Sequence, residues 1–109
     1  MNILFKDQAI RLTCEKRAVA TKALGDIGAR KLAARLSEIE AATYVTDLVI
    51  GNPHPLKGDR LGQFALSLAG GWRLVFVPAN DPVPLREDES ILWSQVTIVC
   101  IEFIGDYHD

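Results

Sequence analysis

The stretch that most restricts the fold is residues 63–78, QFALSLAGGWRLVFVP, where two runs of period-two alternation meet at Gly70-Gly71. Alternation at that period marks half-buried strands, and a glycine pair between two such runs marks a hairpin. The length of the turn then decides every side-chain direction, because a shift of one residue sends each to the opposite face. A two-residue loop would pair Leu68 with Arg73 and mix apolar and polar residues on both faces. A three-residue loop with a glycine bulge aligns Phe64, Leu66 and Leu68 with Trp72, Leu74 and Phe76, and leaves Gln63, Ala65, Ser67, Arg73, Val75 and Val77 on the other side. The second arrangement yields one clean core face, so we expect it, with Arg73 projecting away from the core.

Around this hairpin the remaining elements follow from periodicity. NILF, residues 2–5, reads as a first strand. Asp7 is placed to cap a helical stretch running toward Leu24, with a break near Thr13 and Cys14. Gly25 and Gly28 flank a turn, and a second helix follows in which Ala29, Leu32, Ala33, Leu36 and Ile39 recur at helical spacing while Arg30, Lys31, Arg35 and Glu38 point away. TYVTDL adds a helical turn, and GNPHP breaks regular structure, so that His54, Lys57 and Arg60 are expected on a loop. NDPVPLREDES reads as a long acidic connection. QVTIVCIEFIG is nearly continuous and β-branched, as a strand in the middle of a sheet requires, and its Glu102 needs a partner or an exposed end. The order β, αα, βββ predicts an α+β domain over residues 1–109: an N-terminal strand and helical hairpin packed on a small, mostly antiparallel sheet.

With 109 residues, 49% of them hydrophobic, one domain with a sizeable core is expected. No apolar run approaches the ~20 residues of a membrane helix, and the first residues are charged too early for a secretory signal, so the expectation is a cytoplasmic protein with no membrane partner. Cys14 and Cys100 stand in no metal-ligand spacing and read as reduced thiols among apolar neighbours. No metal and no cofactor are expected. The net charge of −2 argues against a polyanion partner, but the charge is unevenly spread: residues 1–44 carry +3, residues 45–80 carry +1 and residues 81–109 carry −6. A cleft outside the acidic segment can therefore be locally basic.

The unusual polar residues are His54, Lys57 and Arg60 on one segment, Arg73 on a strand, and Asp106, Tyr107 and His108 near the end of the sequence. Each has a bland reading. His54 between prolines could be a surface turn, Lys57 and Arg60 solvated charges, Arg73 a partner of Glu102, Tyr107 a packing residue and His108 a solvated tail group. Together they are a set able to cleave a phosphodiester without a metal. Attack by a ribose 2′-hydroxyl needs a base, an acid for the departing 5′-oxygen, and cations for the charge gathering on phosphorus. Histidine suits either proton-transfer role near neutrality. No P-loop, HExxH or G-x-S-x-G motif supports nucleotide hydrolysis, zinc proteolysis or esterase chemistry.

HPLKGDRLGQFALSL, GWRLVF and DYH, in that order and together with the helix ending EIEAAT, resemble the RelE/ParE superfamily of bacterial toxins, within it the host-inhibition-of-growth (HigB) or "killer protein" branch. The resemblance extends over most of the chain. It implies a RelE-like fold and a toxin of a type II toxin–antitoxin pair that cuts messenger RNA on the ribosome, without metal, by 2′-hydroxyl attack. It further implies a helix-turn-helix antitoxin as partner, and operator DNA bound only through the toxin–antitoxin complex. His54, Asp106, Tyr107 and His108 fall on the family's functional positions, and Lys57, Arg60 and Arg73 on basic positions expected to hold RNA phosphates. From this set His108 or His54 would act as acid or base, with Asp106 orienting or charging an imidazole. Two alternatives share the fold: a ParE-like toxin that binds gyrase without cutting RNA, and a silent module that binds antitoxin and regulates the operon. The acidic loop at 81–90 is longer than this branch generally has.

Overall fold

In the computed structural model, which describes residues 1–106, the hairpin has the three-residue loop. Strand β3 (Phe64–Ser67) pairs with β4 (Trp72–Pro78) so that Phe64 faces Phe76, Leu66 faces Leu74 and Ser67 faces Arg73. The Leu68 N–H donates to the Trp72 carbonyl, and Gly70 takes the left-handed φ of +65° that such a loop needs. Arg73 thus lies on the face away from the core, as the alternation predicts.

Five strands form one mixed sheet in the order β1 (Asn2–Phe5), β5 (Ile98–Asp106), β4, β3, β2 (His54–Pro55). All neighbours are antiparallel except β1 and β5. The apolar run read as a middle strand is β5, flanked by β1 and β4. His54, expected on a loop, instead stands on the short edge strand β2, paired with Ala65.

One face of the sheet is covered by helices α1 (Gln8–Glu15) and α2 (Arg17–Ala41). Asp7 caps α1 by accepting from the Ile10 N–H at 2.9 Å. The chain breaks at Lys16, where φ and ψ are extended, two to three residues beyond the break predicted from sequence. The expected turn between Gly25 and Gly28 is a kink only: Gly25 is non-helical at φ +77°, while Gly28 is buried inside α2. The core between helices and sheet holds Leu32, Ile39, Leu66, Leu74, Phe76, Val99 and Ile101, all essentially inaccessible. Each contributes roughly 1.5–3 kcal/mol of burial. Two α2 positions differ from the periodic reading. Ala33 is exposed and Arg35 is buried, because the stripe that meets the sheet runs through Gly28, Leu32, Arg35 and Ile39, spaced four, three and four residues apart.

On β5 a bulge resets the register. Phe76 faces Ile101 and Val75 faces Phe103, so Glu102 is the extra residue. Without it Phe103 and Ile104 would exchange faces. With it Ile104 packs on the helix side, and Phe103 joins Leu56, Ala65 and Val75 in a second, smaller apolar cluster on the other face. Glu102 is partnered by Lys6 at 3.7 Å rather than by Arg73.

Candidate active site

The uncovered face of the sheet carries the candidate site. Residues directly opposite one another on paired strands project to the same side, so His54, Ala65, Val75 and Phe103 form one row across four strands, and Ser67, Arg73 and Gly105 the next. The apolar cluster is the floor. A cavity of about 950 Å³ opens beside it, lined by His54, Lys57, Gly58, Asp59, Arg60 and Gln63 with Pro55 and Leu56. The segment Gly58–Arg60 is a 3-10 turn, which folds Lys57 and Arg60 back toward the strand that holds His54.

The His54 Nδ1 lies 2.7 Å from the Asn52 carbonyl oxygen. A carbonyl only accepts, so this contact places a proton on Nδ1 and leaves Nε2 of the neutral ring as the proton acceptor. Among the described residues Arg60 meets Gln63, to whose Oε1 its NH1 donates at 3.3 Å, and Phe103, whose ring centroid lies 5.0 Å from its guanidinium. Phe103 can reach that place because Gly105 has no side chain; a Cβ there would come within 2.7 Å of the ring. Arg73 donates from NH1 to the Trp72 carbonyl at 3.1 Å, which turns its guanidinium along the strand.

Asp106 stands differently from the others. It faces Trp72 across the ladder, on the pleat opposite to Arg73 and the His54 row, and its carboxylate lies beside Gly71, where a Cβ would come within 3.1 Å of Oδ1. Tyr107 and His108 lie outside the described residues. The structure therefore brings together His54, Lys57 and Arg60, with Arg73 on the neighbouring row. Sequence reasoning missed Gln63, Phe103 and the Asn52 carbonyl. The face of Phe103 was not legible, because the bulge that turns it appears only in how β4 and β5 pair.

The acidic segment borders the site, where Arg86, Glu89, Ser90 and Ile91 line a second cavity with Leu56 and Lys57. Its two arms close through a bridge between Leu85 and Ile91, Ile91 approaches the Gly62 backbone, and the Trp93 ring after it lies 4.9 Å from that of Phe64, tilted by 57°, on the pleat of Pro55 rather than that of His54. Among the described residues no His, Cys, Asp and Glu side chains gather as a metal site, and no helix is long and apolar enough to cross a membrane.

No family model matches the chain. The endoribonuclease HigB of Proteus vulgaris is 32% identical over 74 residues, which take in 66% of this chain and 78% of that protein. Among solved structures, a YoeB/ParE toxin from Agrobacterium tumefaciens is similar with a TM-score of 0.61 at 11% identity, over 99% of this chain and 100% of that one. A chain of the YoeB–YefM complex from Staphylococcus aureus gives a TM-score of 0.58 at 19% identity, over 100% and 98%. At those identities the structural likeness is one of fold.

Proposed function

The chain belongs to the RelE/ParE superfamily of toxins, as a homologue of the endoribonuclease HigB, and from that premise we propose that it is a messenger RNA endoribonuclease, the toxin of a type II toxin–antitoxin pair, acting on the ribosome. The observation that carries the reading is the His54 Nδ1 contact with the Asn52 carbonyl, which leaves Nε2 to take a proton from a ribose 2′-hydroxyl. The alkoxide attacks the adjacent phosphorus, the 5′-oxygen departs, and a 2′,3′-cyclic phosphate remains. His108 returns a proton to the leaving oxygen. Lys57 and Arg60, which line the cavity of about 950 Å³, and Arg73 on the neighbouring row supply the positive charge that the phosphorane requires. Tyr107 stacks on or hydrogen-bonds the nucleotide. Asp106 acts from the strand end through the local field, since its pleat separates it from His54.

The acidic balance of the whole chain does not oppose this reading, because it is concentrated in residues 81–109, while residues 45–80, which hold His54, Lys57, Arg60 and Arg73, carry +1. An antitoxin is the expected partner, in keeping with the YoeB–YefM complex of the structural neighbour. Operator DNA would be bound through that complex, and the setting is the cytoplasm.

Primer extension on a message translated in a purified system tests the reading. His54→Asn keeps a donor for the Asn52 carbonyl but has no basic nitrogen, and should slow cleavage by roughly 10²–10⁴-fold. His108→Gln should do so comparably, with the fold intact. Cleavage at the wild-type rate by both variants would remove this chemistry from the protein.

A further inference from the structure

Arg35 is the one buried charged residue among the described residues, 7% exposed on the core stripe of α2. Taking a guanidinium out of water costs several kcal/mol, and an apolar side chain at such a place is often neutral or stabilising. Core packing therefore does not account for it. On one side its Nε makes a close ion contact with Glu38 Oε1 at 2.9 Å. On the other it lies against the backbone of Gly51, where a Cβ would come within 2.7 Å of NH1 and 3.0 Å of Cδ.

Gly51 begins the turn that delivers His54. Gly51 and Asn52 hold consecutive left-handed φ angles of +90° and +50°, the second at a side-chain-bearing residue. The Gly51 carbonyl accepts from the Ser67 N–H at 2.7 Å, which ties the turn to β3, and the Asn52 carbonyl meets His54 Nδ1. A continuous path of contacts thus runs from Glu38 through Arg35 and the turn to the imidazole. The left-handed pair is held from above by the sheet and from below by the guanidinium.

We propose that Arg35, oriented by Glu38, is a positioning residue that holds the Gly51-Asn52 turn in the one conformation that presents the Asn52 carbonyl to His54 Nδ1, and so sets which imidazole nitrogen can accept a proton. This rests on His54 acting as the base. It assigns a functional reason to a charge buried on the helix side of the sheet, away from the RNA-facing side.

The test is 15N NMR of the His54 ring in the full-length protein, with single-turnover cleavage of a translated message measured alongside. The wild type should show a pyrrole-type Nδ1 and a pyridine-type Nε2. Arg35→Met should stay folded by circular dichroism, with the ring averaging toward the Nε2–H tautomer and cleavage falling by about 10- to 100-fold, as is typical for loss of an outer-shell partner that sets a histidine's tautomer. Arg35→Lys, which keeps a cation beneath the turn, should restore part of both. A folded Arg35→Met protein with the wild-type ring signature overturns the inference. A changed signature with unchanged cleavage leaves Arg35 as the brace of His54 and removes His54 as the base. Should Arg35→Met not fold, Gly51→Ala, which presses a Cβ onto the guanidinium, is expected to change the ring in the same way, and a wild-type signature there overturns the inference equally.

Discussion

Phe103 offers a quantitative test of how the sheet holds a phosphate-binding cation. Its ring sits 5.0 Å from the Arg60 guanidinium and rests on Leu56, Ala65 and Val75. Phe103→Leu keeps the apolar floor but removes the ring quadrupole. At a half-exposed site that attraction is worth about 0.5–1 kcal/mol, and because 1.4 kcal/mol is tenfold, kcat/KM for cleavage of a translated message should fall by roughly 2- to 5-fold. The urea midpoint should move little. Phe103→Ala also removes the half-buried ring itself, and should cost about 2 kcal/mol of stability, below the roughly 3–5 kcal/mol of a fully buried aromatic residue because part of the ring is already in water. The decisive arm is the double mutant. If the ring acts through Arg60, Phe103→Leu has no further effect on cleavage in an Arg60→Ala background. A full additional loss in that background, or no loss from Phe103→Leu alone, would refute the argument that the ring positions the cation.

Other outcomes follow from the same structure. Arg73→Ala should lower the cleavage rate by about 10²–10³-fold, the usual cost of losing one donor to a developing oxyanion, with the denaturation midpoint close to wild type. Ile39→Ala, at a fully buried position, should destabilise the chain by roughly 2–5 kcal/mol in urea unfolding. Burial, with the Glu15 carboxylate adding to it, pushes the Cys14 thiol from an ordinary value near 9.0 up to about 12. The folded chain then keeps a proton that the unfolded chain releases, so this contribution to stability is complete below pH 9 and declines as pH climbs toward 12. Cys14→Ala should flatten the alkaline fall in urea midpoint relative to wild type.

Local patterns in the chain were enough for the hairpin register, the place of Arg73, the central strand and the Asp7 cap. These are properties that neighbours within a few positions impose: period-two alternation, a glycine pair, a capping side chain. The register in particular followed because only one turn length sorts the apolar residues onto a single face. What local pattern could not reach depends on which surfaces meet. Arg35 reads as solvent-facing on a helical wheel, and is buried because α2 meets the sheet along a stripe that includes it. Phe103 lies in a nearly continuous apolar run that alternation assigns to neither face, and a single extra residue on β5 sets it on the face away from the helices, beneath Arg60. Asp106 reads as one of a contiguous catalytic group, yet the ladder places it on the pleat behind Arg73. The residue types that can move a proton or bind a phosphate are written in the chain. Which of them share a face is settled by strand pairing and by one bulge, because in a sheet a one-residue change of phase reverses every side chain beyond it.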